Sequence, residues 1–362
     1  MSPSWTDSLA EPLPRLAAGR EWARIQESPW GGWLLQAASR RDDQRWFHVD
    51  SRSPRPRPVG VLEDERLSSV PGVVGAWLAR GHDVRLLAWR PGRRAVFRVR
   101  TARRTRISKL YRKNRQYELR WTALADQGSR AWRVPRVLSW NPRTRCLALE
   151  ECPGRSLNER WLAGEGEVAD GDRIAALLDW LADATPPPGF PTHDAEDEIS
   201  ILTKRVASYA RTLERPPNAA AGLTRRVVEA LRAEPDVTPV FSHRDLHDKQ
   251  VLVDGEAGHL IDMDLAALAP PALDLGNILA HLRLRALQGA PVPWREIAAR
   301  AVSRAGNRRG VGESLGTWTA AALMRLGLIY SRRRRDPGLL EKLLDSTEQA
   351  LERRGEWAGA GL

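Results

Sequence analysis

Two short apolar runs, Val251-Leu252-Val253 and His259-Leu260-Ile261, flank the turn-forming residues Asp254-Gly255-Glu256-Ala257-Gly258. That pattern predicts a β-hairpin. A hairpin sets its two outer ends side by side, and here both ends are polar. His243, Arg244, Asp245, His247, Asp248, Lys249 and Gln250 crowd the chain before the first run. Asp262 and Asp264 follow the second. Any fold of this chain must therefore bring Asp245 and Gln250 close to Asp262. Val237–Phe241 reads as the strand that delivers the polar loop.

The arrangement suits phosphoryl transfer. That reaction asks for a carboxylate to orient the attacking hydroxyl and for oxygen ligands that hold magnesium across the phosphates. Asp245 fits the first role. The amide oxygen of Gln250 and the carboxylate of Asp262 fit the second, with Asp264 beside them. A lone loop Asp after a strand would read as a turn cap. The combined spacing of H-x-D, an amide five residues on, a hairpin and then I-D favours the catalytic reading.

This segment resembles the catalytic and metal loops of the aminoglycoside phosphotransferase-like kinases, relatives of the protein kinases. Their loop reads H-G-D or H-R-D, four residues, then Asn, and their metal motif reads I-D-x-D or I-D-x-E. The resemblance implies Asp245 as catalytic base and Asp262 as magnesium ligand. It implies that Asp274, in Asp274-Leu275-Gly276-Asn277, steadies the catalytic loop. Gln250 stands where the family usually has Asn, and it keeps the same oxygen donor. The run His247-Asp248-Lys249-Gln250-Val251-Leu252-Val253 is similar to the maltokinase branch, which hints at a sugar-type acceptor. His247 and Lys249 are both candidates to touch the γ-phosphate as charge moves to it.

The length of 362 residues allows one large two-lobed domain or two domains, and 42% hydrophobic content is ordinary for a globular chain. The net charge of +12 is carried almost wholly by Arg. Such a surface can attract nucleic acid or anionic lipid, but no nucleic-acid motif accompanies it. The charge also counts against a strongly cationic acceptor. Cys146 and Cys152 make no metal pattern, which suits a reducing, cytoplasmic setting. The N-terminus lacks the features of a signal peptide, and no run reaches membrane-spanning length. Monomer and dimer both remain open.

The first sixty residues carry little information beyond Trp-rich apolar patches over Glu21–Ser39 and a strand-like run at Arg45–Val49. Ser51–Pro58 alternates Pro and Arg and reads as an extended, exposed connector. Glu65–Ala79 has helical spacing, interrupted at Pro71-Gly72 and stopped at Gly81. Val84–Arg90 and Ala95–Arg100 read as a hairpin around Pro91-Gly92-Arg93-Arg94. Arg93 and Arg94 are placed to reach phosphates or to be exposed turn residues. Arg106–Tyr111 is the next strand and carries Lys109.

Lys109 resembles the family's nucleotide-binding lysine, with Ile107 on the same face as part of an adenine roof. Glu118, in a helix expected over Arg112–Asp126, is by that resemblance the ion-pair partner of Lys109. Leu147-Ala148-Leu149-Glu150-Glu151-Cys152-Pro153-Gly154 resembles the family's hinge, which implies that Glu150 and Cys152 meet the purine through their main chains. Ser156-Leu157-Asn158-Glu159 is a capping box that starts a helix.

The rest reads as helical: Arg173–Ala184, Leu202–Leu213, Leu223–Leu231, Leu275–Leu287, Glu313–Tyr330 and Leu339–Leu351. The acidic run His193–Glu198 is either a substrate-facing or a solvated loop. Arg332–Arg335 reads as a solvated helix end.

No Walker A loop, HExxH zinc site or dinucleotide fingerprint is present. The expectation is an α+β, two-lobed, protein-kinase-like fold: an extension or cap over 1–59, a mainly β N-lobe over 60–153 and a helical C-lobe over 154–362. It would use ATP (GTP being the alternative) and Mg2+ to phosphorylate a hydroxyl of a small molecule. The rival from another class is a catalytically silent kinase-like module that binds nucleotide or protein.

Overall fold

The computed structural model describes residues 22–27, 33–37, 46–50, 53–114, 117–124, 127, 131–210, 218–305, 311–330 and 338–352. The chain begins with a four-stranded antiparallel sheet, β1 (Trp22–Glu27), β2 (Trp33–Ala37), β3 (Trp46–Asp50) and β4 (Ser53–Val59), ordered as in sequence. The Pro/Arg segment is thus an edge strand and not a connector. Its prolines fall at every second position, 54, 56 and 58. A proline cannot donate to a ladder, so an edge strand accepts it where the N–H would face outward. Pro58 pairs with Phe47 of β3, while Pro54 and Pro56 lie where the register shifts between His48 and Asp50.

After two short 3-10 turns (Val61–Glu63 and Glu65–Leu67) comes helix α1 (Val70–Ala79), with Pro71 in its first turn and Gly81 at φ +72° ending it. A five-stranded antiparallel sheet follows: β5 (Asp83–Arg90), β6 (Arg94–Arg100), β7 (Thr105–Tyr111), and, beyond β8 (Trp132–Arg133), β9 (Val137–Asn141) and β10 (Cys146–Glu150), in the order β5-β6-β7-β10-β9.

Register decides which side chains share a face. Lys109 lies opposite Val96 and Leu147, Tyr111 opposite Arg94, and Ile107 opposite Leu149. Directly opposed residues point the same way. One face therefore presents Arg94, Lys109, Tyr111 and Ile107 together. Tyr111, Leu147 and Leu149 on that face join a core with Leu246, Val251 and Met263. The other face, with Ala95, Phe97 and Leu110, packs on Leu34, Trp46 and Trp77, so the first sheet and α1 back the second.

Helix α2 spans only Tyr117–Thr122, and residues 115–116 and 125–126 of the longer expected helix lie outside the described residues. The helical half holds β11 (Arg155–Ser156), then α3 (Leu157–Leu162), opened by the expected box: Ser156 Oγ accepts from Glu159 N, and Glu159 Oε2 from Ser156 N. Next come α4 (Ala169–Asp183), α5 (Ala195–Ala210) and α6 (Asn218–Arg232).

The catalytic stretch supplies β12 (Val240–Ser242), β13 (Val251–Asp254), β14 (Ala257–Leu260) and β15 (Ala267–Ala269). β13 and β14 form the expected hairpin, closed by the two residues Gly255-Glu256 with Gly255 at φ +60°, as a type II′ turn requires. The hairpin lies between β11 and β8, and β12 pairs with β15. Helices α7 (Ala272–Leu287), α8 (Trp294–Ala305), α9 (Leu315–Tyr330) and α10 (Leu339–Glu352) complete the chain. Residues 211–213 of one expected helix and Arg332–Arg335 lie outside the described residues.

Helix α7 carries both Asp274 and Asn277 and crosses α9 at Gly276. A Cβ there would stand 2.8 Å from Thr319 N and Trp318 C, both backbone atoms. Gly276→Ala must therefore push the two helices apart. We expect it to lower stability by about 1–3 kcal/mol in urea unfolding, with no change in secondary-structure content.

Candidate active site

The loop after β12 is held by buried groups. Asp274, on α7, accepts the backbone N–H of His243 at 2.6 Å and of Arg244 at 2.8 Å. Asn277 Nδ2 donates to Arg244 O at 2.9 Å. Arg244 can then hold φ +69°, a left-handed conformation that costs energy in a non-glycine residue. His243 joins the two functional loops. Its Nδ1 accepts from Asp245 N at 3.2 Å, which leaves the proton on Nε2, and that group donates to Ile261 O at 2.8 Å. Asp245 emerges half-buried, and its carboxylate has no hydrogen-bond partner among the described residues.

Ile261 N bonds Gln250 O at 2.9 Å, so the two ends of the hairpin meet as the sequence requires. Asp262 follows in the left-handed region at φ +66°. Its Oδ1 accepts from Lys109 Nζ at 2.6 Å and from Arg94 Nη1 at 2.9 Å, and its Oδ2 from Arg94 Nη2 at 2.8 Å. Gln250 Nε2 is 3.5 Å from Oδ2. Burial alone would push the Asp262 carboxyl up, but Lys109 and Arg94 hold it well below the usual carboxylate range. Burial would likewise lower Arg94, and Asp262 and Asp264 raise it instead. Gln250 presents its amide nitrogen to Asp262; with the amide turned over, its oxygen and the Asp262 carboxylate are hard donors that fit magnesium.

Several expected roles change. Glu118 is exposed and does not pair with Lys109. The carboxylate that completes the lysine's surroundings is Asp264, 3.1 Å from Nζ. Asp264 Oδ1 also accepts from Tyr111 Oη at 2.8 Å and Trp121 Nε1 at 3.0 Å, and Arg94 contacts Oδ2. Burial, then Asp264, push the Tyr111 phenol well up, so it stays a donor. Three donors thus share Asp264 Oδ1, while Oδ2 is reached by Arg94 alone among the described residues.

Arg93 is exposed at the hairpin turn, and its neighbour Arg94 enters the site instead. Strand alternation counted from the Tyr111 register would have distinguished them. His247 is no free phosphate contact. Its Nδ1 accepts from Lys249 N at 3.1 Å, its Nε2 lies 3.2 Å from Gln250 Nε2, and its ring stacks on His281 at 4.5 Å between centroids. It supports Gln250. Lys249 is exposed on the same loop.

At the expected hinge, Glu150 N bonds Arg136 O at 2.9 Å and its side chain pairs with Arg136. Cys152 has no backbone hydrogen bond among the described residues, and burial, with Glu150 and Glu151 nearby, pushes its thiol up to about 12. Ile107 packs against the core of the lobe interface.

In the acidic run His193–Glu198 the carboxylates of Asp194, Glu196 and Asp197 are on exposed residues, and His193 and Glu198 are buried. Glu198 is buried and bonds Arg325 Nη1 at 2.5 Å and His193 Nε2 at 3.3 Å. Arg325 Nη2 in turn donates to Asn277 at 2.6 Å. No helix among the described residues is long and apolar enough to cross a membrane.

A model of the phosphotransferase enzyme family matches residues 86–310, more than half of the chain. No curated protein matches it. Among solved structures it is similar to a choline/ethanolamine kinase family protein from Mesorhizobium loti (15% identity, TM-score 0.55, covering 82% of this chain and 98% of that one). An ethanolamine kinase from Plasmodium vivax aligns at 12% identity and TM-score 0.53, covering 75% and 84%. A putative aminoglycoside phosphotransferase from Ralstonia eutropha aligns at 13% and 0.51, covering 80% and 98%. At these identities the likeness shows the fold, a two-lobed protein-kinase-like α+β fold with a β-rich N-lobe and a helical C-lobe.

Burial pushes the Glu198 carboxyl up, and Arg325 and His193 overcome it, holding it at about 2 against an ordinary 4.5. A depressed acid stabilises the fold above its unfolded pKa, and that stability is lost as pH falls through the folded one. Glu198→Gln should therefore cost about 3 kcal/mol at neutral pH. In urea unfolding the difference from wild type should shrink as pH drops from 4.5 towards 2.

Proposed function

The chain belongs to the phosphotransferase enzyme family, and from that premise we propose how its own residues move the γ-phosphate of ATP to a hydroxyl of a small molecule. Asp245 is the catalytic base. It orients the acceptor hydroxyl and takes its proton as the phosphoryl group leaves the nucleotide. The observation that carries this reading is the contrast within one loop. Four backbone groups from His243 N to Asp245 N are fixed by Asp274, Asn277 or His243, while the Asp245 carboxylate has no hydrogen-bond partner among the described residues. A base held rigidly and left unpaired is prepared for a substrate proton.

Lys109 grips the phosphates as a point charge, with Asp264 fixing its orientation. Gln250 and Asp262 would hold magnesium, which neutralises charge on the phosphates. His247 sets the Gln250 amide in place. Lys249, exposed on the loop, is the remaining candidate for the γ-phosphate. The purine lies against Ile107 and the backbone at Glu150 and Cys152. ATP is the donor favoured by likeness to an aminoglycoside phosphotransferase solved with ADP and hygromycin B (15% identity, TM-score 0.50). The acceptor is a hydroxylated small molecule of antibiotic, sugar or amino-alcohol type. The excess of basic residues favours an acceptor without strong positive charge.

ADP release should be measured with magnesium against aminoglycosides, other hydroxylated antibiotics, choline, ethanolamine, maltose and simple sugars. One acceptor class should stimulate turnover. Asp245→Asn should lower kcat by about 10²–10⁴-fold on that acceptor. Full activity of the variant on a proven acceptor would remove Asp245 from the mechanism.

A further inference from the structure

Arg94 occupies the spot where a metal ligand would be expected to stand open. Its two terminal nitrogens bond both oxygens of Asp262, and one of them also reaches Asp264. With Lys109 on Oδ1, neither oxygen of Asp262 is free of a protein cation. Two carboxylates thus face two cations, and the cluster is electrically balanced. A lone divalent ion would have to enter against both cations and leave two positive charges uncompensated. A triphosphate arriving with its metal is net negative and carries oxygens that a guanidinium grips in the same forked way as a carboxylate.

The two carboxylates do not depend on Arg94 equally. Without it Asp264 keeps Tyr111, Trp121 and Lys109 as donors. Asp262 would keep Lys109 on Oδ1, and its Oδ2 would keep only the Gln250 amide nitrogen at 3.5 Å. Departure of Arg94 therefore exposes Oδ2 of Asp262, the oxygen beside the Gln250 amide, and Oδ2 of Asp264.

The backbone around Arg94 is anchored, so only its side chain needs to move. Buried Asp64 accepts from Gly92 N at 2.6 Å and from Trp89 Nε1 at 2.9 Å, and Arg93 O accepts from Arg112 N at 2.9 Å. Arg90, across the turn in register with Arg94, is in electrostatic reach of Asp245 and Asp262 and adds to the positive field at the cleft.

We propose that Arg94 guards the Asp262 carboxylate in the nucleotide-free protein and transfers to the phosphates when metal and nucleotide bind. Metal entry is thereby made conditional on nucleotide. The inference rests on the reading of Asp262 as metal ligand given above.

The test measures Mn2+ binding by paramagnetic resonance, with and without a non-hydrolysable ATP analogue, for wild type, Arg94→Met, Arg94→Lys and Asp262→Asn. Without nucleotide, Arg94→Met should bind Mn2+ about tenfold more tightly than wild type. With Mn2+ present it should bind the analogue about tenfold more weakly, the loss expected for a charge-assisted pair. Arg94→Lys keeps the charge but not the fork and should shift both affinities in the same directions by less. It carries the test if circular dichroism shows Arg94→Met unfolded.

Unchanged Mn2+ affinity in a folded Arg94→Met, or in Arg94→Lys if only that folds, would overturn the proposal. So would an unchanged analogue affinity. Failure of the underlying reading looks different: Asp262→Asn would then bind Mn2+ and analogue together as well as wild type does.

Discussion

A carboxylate just after the hairpin and two cations on the N-lobe sheet hold the candidate site together. Asp262 is reached by Lys109 from β7 and by Arg94 from β6, so one ion cluster links the lobes. Charges taken from water are costly, and their attraction offsets that cost only when each one is also well hydrogen-bonded. Here Asp264 provides for this. It receives Tyr111 and Trp121 as well as both cations, and so fixes the lysine from behind. The left-handed backbone at Asp262 is tolerable because an Asp visits that region more readily than most residues.

The catalytic loop depends on a second polar line that begins far from it in sequence. His193 holds Glu198, Glu198 holds Arg325 of α9, Arg325 holds Asn277 of α7, and Asn277 holds the carbonyl of Arg244. Asp274, one turn before Asn277, receives the two N–H groups at the start of the loop. The helical lobe therefore sets the position of Asp245 through buried hydrogen bonds. Gly276 lets α7 and α9 lie close enough for that line to close.

Much of this was legible in the sequence, for local reasons. The hairpin, its turn glycine and the I-D ending follow from spacing over fewer than forty residues, and the place of Asp274 from the resemblance of its motif. What was not legible depended on contacts between distant segments. Glu118 was the obvious carboxylate near Lys109 in sequence, yet Asp264 reaches the lysine because the metal loop folds beneath β7. Arg93 and Arg94 are adjacent and alike. Only the pairing of Arg94 with Tyr111 decides which one faces the cleft. The Pro/Arg run reads as an extended, exposed connector in the sequence, and only its pairing with β3 makes it a strand. His247 reads as a candidate phosphate contact in the sequence, and its neighbours Gln250 and His281 appear only in the fold.

The central claim is that Asp262 turns the meeting point of the lobes into a metal-dependent nucleotide site. Titration of a non-hydrolysable ATP analogue into wild type and Asp262→Asn, each with and without magnesium, tests it directly. The account predicts tight binding only for wild type with magnesium. Magnesium should leave the variant's weak binding unchanged. Equal binding by both proteins under all conditions would contradict it.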